Sequence, residues 1–153
     1  MIKLADTRLL RTSAYVNGTW MAAQSGKTLE VRNPANADLL GTVPDCGGAE
    51  TRTAIEAAEA ALPAWRARTA SDRAALLRRL HALILANQED LATLTTAEPG
   101  KPLPEARGEI AYAAAFVEWF AEEARRVYGD VIPGHAKDRR IVVIKQPVGV
   151  VAA

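Results

Sequence analysis

The chain of 153 residues contains one cysteine, Cys46, and two histidines, and this scarcity excludes several classes of protein. A single cysteine cannot form an internal disulfide framework, so a reducing cytoplasm is the simplest setting. A zinc site needs three or four converging ligands, whereas His81 and His135 lie far apart and neither has a partner at ligand spacing. We therefore expect a cytoplasmic protein without a metal site.

The chain also lacks an excess of charge and a long apolar run. The formal net charge is +1, with acidic and basic residues mixed along the sequence. Nucleic-acid and membrane-surface binding both need a basic patch, so neither function is expected. No apolar run approaches the roughly 20 residues that span a bilayer. We expect no nucleic-acid partner and no membrane partner.

Glycine-rich phosphate motifs are missing too. Gly100-Lys101 resembles half of a phosphate loop, but Pro102 stands where Ser or Thr is required. No G-x-G-x-x-G occurs, and Gly149 alone after a strand is very weak evidence for a dinucleotide site. The sequence therefore predicts no cofactor-binding residue within this chain.

Cys46 is the obvious nucleophile candidate, because it precedes a helix whose N-terminus could favour a thiolate. A lone cysteine in a glycine-rich turn is more often incidental. The acidic residues of the longest helix are mixed with arginines, which is typical of a solvated helix face rather than of paired catalytic carboxylates. They are Glu105, Glu109, Glu118, Glu122 and Glu123. Residue chemistry alone predicts no assembled active site.

Residues 14–44 are predicted to be rich in β-structure. Asn17-Gly18, between Tyr15-Val16 and Thr19-Trp20, indicates a hairpin with a type I′ turn, which needs positive φ at both central residues. Ser25-Gly26-Lys27 marks a second turn before an alternating strand at 28–31. Another short extended piece is expected at 39–43.

Residues 49–128 are predicted to form four helices, because small and apolar residues recur there at helical spacing. Pro63 is expected to kink or end the first helix. Ser71 is expected to cap the second helix, and Asn87 with Asp90 resembles a capping box for the third.

The fourth helix is predicted to be the longest, opening near Pro104 and running to about Tyr128, with Gly129 ending it. Glu122 and Arg126 are in the favourable order for an i,i+4 ion pair. The expected apolar stripe comprises Ile110, Ala113, Ala114, Val117, Ala121 and Ala124.

Residues 139–153 are the only stretch dense in β-branched residues, and the stretch is apolar on both faces. The residues are Ile141, Val142, Val143, Ile144, Val148, Val150 and Val151. Such a run is typical of a strand inside a covered sheet. A complete domain rarely finishes on an uncapped apolar strand, so we expect the front part of something larger. The predicted fold class is α/β, appearing as α+β in this chain: N-terminal hairpins, a four-helix segment and a terminal strand.

Several motifs, in order and spacing, resemble the opening of the aldehyde dehydrogenases. They are Tyr15-Val16-Asn17-Gly18-Thr19-Trp20, Asn33-Pro34-Ala35, Thr42-Val43-Pro44, the E-x-G-K-P-L segment from Glu98 to Leu103, and Lys145-Gln146-Pro147-Val148-Gly149-Val150. Within that superfamily, residues 105–110 and 118–129 look like NAD(P)-dependent succinate-semialdehyde dehydrogenase. The resemblance covers nearly all of the chain from Ala14 onward.

The resemblance implies an incomplete aldehyde dehydrogenase fold. Residues 14–153 would be its N-terminal part, divided into 14–44 (β-rich), 49–128 (helical) and 139–153, with 1–13 as a lead-in. The last of these segments would be a strand that contributes to the oligomerisation sheet and leads into the cofactor domain. The complete enzyme would be a homo-oligomer that oxidises a small aldehyde.

The resemblance also bears on activity. The complete enzyme would use NAD or NADP, whereas no cofactor is expected to bind this chain alone, because the family's cofactor motif, catalytic cysteine and glutamate have no match here. Cys46 is thereby removed as the catalytic thiol. Arg107 and Gly108 would lie near the mouth of the substrate channel, although Arg107 could equally be a surface ion-pair partner. The alternative function is a non-catalytic interaction fragment that pairs with a full-length relative.

Overall fold

The computed structural model describes residues 2–153, in which four α-helices accompany three separate two-stranded antiparallel sheets. The strands are β1 (Ala14–Val16), β2 (Thr19–Met21), β3 (Thr28–Arg32), β4 (Leu39–Pro44), β5 (Asp130–Pro133) and β6 (Arg140–Val143). The helices are α1 (Gly48–Ala67), α2 (Ala70–Ala86), α3 (Gln88–Ala97) and α4 (Leu103–Glu123), with short 3₁₀ helices at Thr7–Leu9 and Ala124–Arg126. The expected fold class is confirmed. Within 2–153, no helix has both the length and the apolar character that a membrane crossing requires.

The first hairpin forms as predicted. Asn17 and Gly18 have φ values of 49° and 79°, the positive values that its turn demands. Tyr15 lies opposite Trp20 across β1 and β2, and their ring centroids are 4.8 Å apart. The cross-strand aromatic pair therefore stabilises the register that the turn sets.

The second hairpin joins β3 and β4, with Thr28 opposite Pro44 and a bulge between Val31 and Arg32. Gly26, with φ of 68°, occupies the predicted turn before β3. Both strands agree with the sequence prediction to within about one residue at each end, as is usual for element boundaries.

Glu50, in the first turn of α1, connects this β-rich part to the helices. Its buried carboxylate accepts hydrogen bonds from the backbone N–H groups of Gln24, at 2.7 Å, and Gly47, at 2.8 Å. The Gln24 bond, followed by those from Gly47 and from the backbone of Glu50 itself, lowers the pKa of the Glu50 carboxyl. The β2–β3 loop is thereby fixed to the beginning of α1.

Of the two outcomes expected at Pro63, an end to α1 is wrong, since the helix continues to Ala67, and a kink stays a prediction. Proline removes the hydrogen bond to the carbonyl four residues earlier, here that of Glu59. Both residues are exposed, so water can solvate the carbonyl that loses its donor. The alanine-rich remainder of the helix keeps its own hydrogen bonds.

The predicted cap of α2 is displaced by two residues. Thr69, not Ser71, is the N-cap, and its Oγ1 accepts a hydrogen bond from the backbone N–H of Asp72 at 3.1 Å. Ser71 lies inside the first turn, where its Oγ accepts a hydrogen bond from Arg125 at 3.2 Å. Thr and Ser are both common N-cap residues. In this fold Ser71 contacts Arg125 instead, and Thr69 caps the helix.

The predicted capping box of α3 does not form. The Asn87 side chain donates instead to the carbonyl of Leu83 at 2.7 Å. The Asp90 carboxylate accepts hydrogen bonds from the backbone N–H groups of Ala5, at 2.9 Å, and Asp6, at 2.7 Å. The N-terminal segment, which reads as a loose lead-in, is thus attached to α3.

The core of the helical part lies where α4 packs against α2 and α3. Its fully buried residues are alanines: Ala74 of α2, Ala92 of α3, and Ala106, Ala114 and Ala121 of α4. Small side chains let the helix axes approach closely. The predicted apolar stripe of α4 is largely correct, but Ala113 is exposed.

The predicted ion pair between Glu122 and Arg126 is also replaced. Glu122 accepts a hydrogen bond from Arg78 of α2 at 2.9 Å, and Arg126 pairs with Glu123 at 2.5 Å. The helix ends at Glu123 and tightens into the 3₁₀ turn, which carries Arg126 away from the position that an α-helix would give it.

The last predicted strand is much shorter than expected. Only Arg140–Val143 forms a strand, and residues 144–153 have no regular structure. The strand pairs with β5, which the sequence analysis missed, and all residues of both strands are exposed, including Val131 (74%) and Val142 (67%). No element within residues 2–153 covers the hairpin, and a covering sheet in a longer protein stays a prediction.

Candidate functional site

Arg107 lies in the second turn of α4 and forms a two-point contact with Glu89 of α3. Its Nε is 2.8 Å from Oε1, and its Nη2 is 2.8 Å from Oε2. The backbone carbonyl of Arg107 accepts a further hydrogen bond from Gln88 at 3.0 Å. Of the two interpretations of Arg107, ion pairing is observed, and its place at a channel mouth stays a prediction.

The Arg107 hydrogen bonds hold the pKa of the Glu89 carboxyl below its ordinary value, and they raise the pKa of Arg107. Both groups face solvent, so water and salt screen the attraction. The main consequence is geometric, because the forked contact fixes the guanidinium in one direction.

Gly108, the other predicted site residue, is exposed. A Cβ added there would meet no heavy atom within 4 Å, and its φ is not in the left-handed region. Neither packing nor backbone conformation within residues 2–153 requires glycine at this position. The residue leaves open space on the surface of α4, beside the fixed Arg107.

An exposed row of aromatic residues continues from Gly108 along the same side of α4. We call Tyr112, Phe116, Trp119 and Phe120 the aromatic face. Tyr112 is 67% exposed and Trp119 62%, and with Ala115 the four residues line a groove of about 320 Å³. The rings of Tyr112 and Phe116 meet edge to face with centroids 4.8 Å apart. Contiguous exposed apolar patches of this kind mark binding surfaces.

Sequence reasoning missed the aromatic face, although the signal was present. The inner stripe of small residues accounts for one side of α4, and aromatic residues at i, i+4 and i+7 define a second side. A helix that is apolar on two sides is normally covered on both. The aromatic face supplies apolar surface but no acid, base or nucleophile.

Cys46 is exposed in the loop between β4 and α1. Its depression is lined by Gln24, Ser25, Lys27 and residues 45–50, which include no histidine. The Glu50 carboxylate, rather than the thiol, accepts the Gly47 N–H at the start of the helix. The arrangement gives Cys46 no histidine base among these lining residues.

The two histidines are in separate places. His81 of α2 is half-buried, with Nδ1 3.0 Å from the carbonyl oxygen of Ala114 in α4, so this nitrogen is the donor. His135 is exposed in the β5–β6 turn, 3.4 Å from Arg139. Across residues 2–153, no three His, Cys, Asp or Glu side chains are grouped so that they could hold a metal ion.

The sequence pattern of the aldehyde dehydrogenase family matches residues 20–153. The chain is 61% identical over 152 residues to glutarate-semialdehyde dehydrogenase of Pseudomonas putida, covering 99% of this chain and 32% of that protein. It is 58% identical over 152 residues, with the same coverage, to the NADP(+) succinate-semialdehyde dehydrogenase GabD of Escherichia coli. The chain thus spans about a third of the length of the curated relatives it matches, corresponding to their N-terminal third.

The fold agrees with solved structures. An NADP-dependent enzyme from Escherichia coli superposes with a TM-score of 0.92 at 58% identity, over 95% of this chain and 30% of that one. PnpE, solved in complex with nicotinamide adenine dinucleotide, gives a TM-score of 0.79 at 31% identity, over 83% of this chain and 26% of the other. The three sheets and four helices are therefore a partial version of the fold of these enzymes.

Proposed function

Because the chain belongs to the aldehyde dehydrogenase family, we propose that it is the N-terminal portion of an NAD(P)-dependent semialdehyde dehydrogenase. The whole enzyme would oxidise a small aldehyde to a carboxylic acid. The observation that carries the proposal is the 61% identity, over 99% of this chain, with a glutarate-semialdehyde dehydrogenase.

The proposed substrate is a short aldehyde that carries a carboxylate at its other end. Support comes from the names of two relatives, which specify glutarate semialdehyde and succinate semialdehyde. NAD or NADP would be the oxidant, bound in the complete enzyme and not by this chain alone. Its setting would be the cytoplasm, and the sequence supports this with its single cysteine.

Within that enzyme the present residues would serve as a scaffold. No histidine lines the depression around Cys46, and Cys46 does not match the family's nucleophile motif. Chemistry would need the cysteine and glutamate of motifs that have no counterpart in this sequence. We accordingly propose that the chain alone is inactive.

We also propose that Arg107, Gly108 and the aromatic face lie at the mouth of the substrate channel. Three features support this: the guanidinium is fixed by Glu89, the space beside Gly108 is open, and the aromatic face is uncovered in residues 2–153. An apolar wall beside open space suits the hydrocarbon part of a small aldehyde.

Activity measurements test the proposal. The purified chain should form no NAD(P)H from succinate or glutarate semialdehyde with either dinucleotide. Co-expression with the remaining two-thirds of the Escherichia coli relative should restore oxidation. Turnover by the chain alone that disappears in Cys46→Ser would contradict the proposed division of roles.

The channel mouth is tested in that co-expressed enzyme. Gly108→Phe should lower kcat/KM by about tenfold, because the new ring fills the open space, whereas assembly stays unchanged. Ala60→Phe is the control, since Ala60 is an exposed alanine of α1 and belongs to neither α4 nor the aromatic face. Equal losses in both variants would remove Gly108 from the mouth.

A second candidate function follows from the exposed β5–β6 hairpin. Both of its strands are uncovered and rich in β-branched residues, so it can extend the sheet of a partner. In this candidate the chain is a non-catalytic fragment that pairs with a full-length relative, and in the complete enzyme the same hairpin contributes to homo-oligomer contacts. Co-elution with the Escherichia coli relative in size-exclusion chromatography would favour it, and a clean monomer would count against it.

A further inference from the structure

A cavity of about 670 Å³ lies between the end of α1, the start of α2 and residues 144–149. Its polar and aromatic lining residues are Trp65, Arg66, Arg73, Lys145 and Gln146, and the other lining residues are apolar or glycine. The lining therefore contains three cationic side chains and no carboxylate. Its volume is in the range of small-molecule sites, roughly 300–1,000 Å³.

None of the three cations forms a direct ion pair with a carboxylate in the described part of the chain. Six other cationic side chains of residues 2–153 form ion pairs within 4.0 Å, and Arg66, Arg73 and Lys145 are not among them. Like charges that converge without counter-charges raise the local positive potential. The positive charge of this cavity is thus available to a ligand.

Two of the three cations are held in position by uncharged partners. The Arg73 Nη1 donates to the carbonyl of Arg68 at 2.6 Å. The Lys145 Nζ lies 5.8 Å from the centroid of the Tyr128 ring. These contacts orient the side chains and leave their charge uncompensated. Because the side chains are already ordered, a ligand loses less conformational entropy by binding to them.

We propose that this cavity binds a multiply charged oxyanion with phosphate or carboxylate groups. Guanidinium groups present forked donors that match both kinds of oxyanion, and the lysine adds a compact positive charge. The Gln146 amide can donate a further hydrogen bond at the rim. The site lies apart from Arg107 and the aromatic face, and it does not depend on the proposed dehydrogenase activity.

Isothermal titration calorimetry of the full chain at low ionic strength tests the site, with pyrophosphate and citrate as separate arms. At least one should bind with one site per chain, and the arm that binds identifies phosphate or carboxylate as the recognised group. A saturating amount of that anion should also raise the thermal midpoint of unfolding.

Arg66→Gln and Lys145→Gln should each weaken binding about tenfold, the usual effect of losing one charged hydrogen bond. Arg79→Gln is the matched control, because it removes the same charge from the exposed surface of α2. Its affinity should stay within about twofold of the unchanged chain. Saturable binding of neither anion, or an equal loss in the control, would overturn the proposal.

Discussion

Replacing Ala114 with leucine should destabilise the helical part, because Ala114 is only 1% exposed where α4 faces α2. If there were room, burying three further carbon atoms would stabilise by about 2.4 kcal/mol, at about 0.8 each. There is little room, since the Ala114 carbonyl lies 3.0 Å from Nδ1 of His81 and holds the helices together. Overpacking of this kind costs about 1–3 kcal/mol net.

That cost corresponds to a fall of about 2–12 °C in the unfolding midpoint for a chain of this length, followed by circular dichroism. Ala113→Leu is the matched control, since Ala113 is exposed, and its change should stay within about 0.5 kcal/mol. A raised midpoint for Ala114→Leu would show that the interface has room. Equal losses at both positions would show that Ala113 is part of the buried stripe.

Three further predictions concern hydrogen bonds and backbone geometry. The lowered pKa of the Glu50 carboxyl contributes folding stability that is complete above its unfolded pKa of about 4.3 and is lost as pH falls through the folded pKa. Glu50→Gln should therefore weaken the dependence of the unfolding midpoint on pH in acid. Gly100→Ala should lower the unfolding midpoint, because φ at Gly100 is 79° and the new Cβ would lie 2.7 Å from Pro34. Gly48→Ala should raise the midpoint, because a Cβ at this position of α1 meets open space. The opposite order of the two midpoints would contradict the geometry. Asp90→Ala should speed amide hydrogen exchange at residues 5 and 6 about tenfold, and unchanged exchange would refute the anchoring.

Local signals predicted the elements well where one residue type decides the backbone. Asn17-Gly18 specifies its turn because few other dipeptides tolerate positive φ twice, and both hairpins of the N-terminal part follow. The four helices follow from periodicity, and the family motifs pointed to the superfamily that the comparisons show.

Predictions failed where the partner of a side chain lies far away in sequence. Asp90 has the spacing of a capping box, yet its carboxylate oxygens accept hydrogen bonds from backbone N–H groups 84 and 85 residues earlier in the chain. Glu122 likewise pairs with Arg78 on another helix rather than with its neighbour along α4. Sequence spacing indicates which nearby residues a side chain could pair with. Partners that are distant in sequence become visible only when the elements are packed together.

The candidate site also combines features that the sequence predicted with features that only the packing shows. Arg107 and Gly108 were named through the family resemblance, but the pairing of Arg107 with Glu89 needs α3 and α4 side by side. The aromatic face was overlooked because the inner stripe alone explained why α4 is a helix. Its exposure, and the meeting of three cations around one cavity, depend on how the elements pack.

The sequence by itself determined the family, the order of the first four strands and the four helices, and the absence of the family's catalytic motifs from this chain, because these are properties of residue type and spacing. The tertiary structure alone decided which alanines are buried, which carboxylates fix the loops, and that β6 pairs with β5 in an exposed hairpin. The physical reason is that burial and long-range hydrogen bonding depend on which surfaces meet, whereas turns and helical periods are set within a few residues.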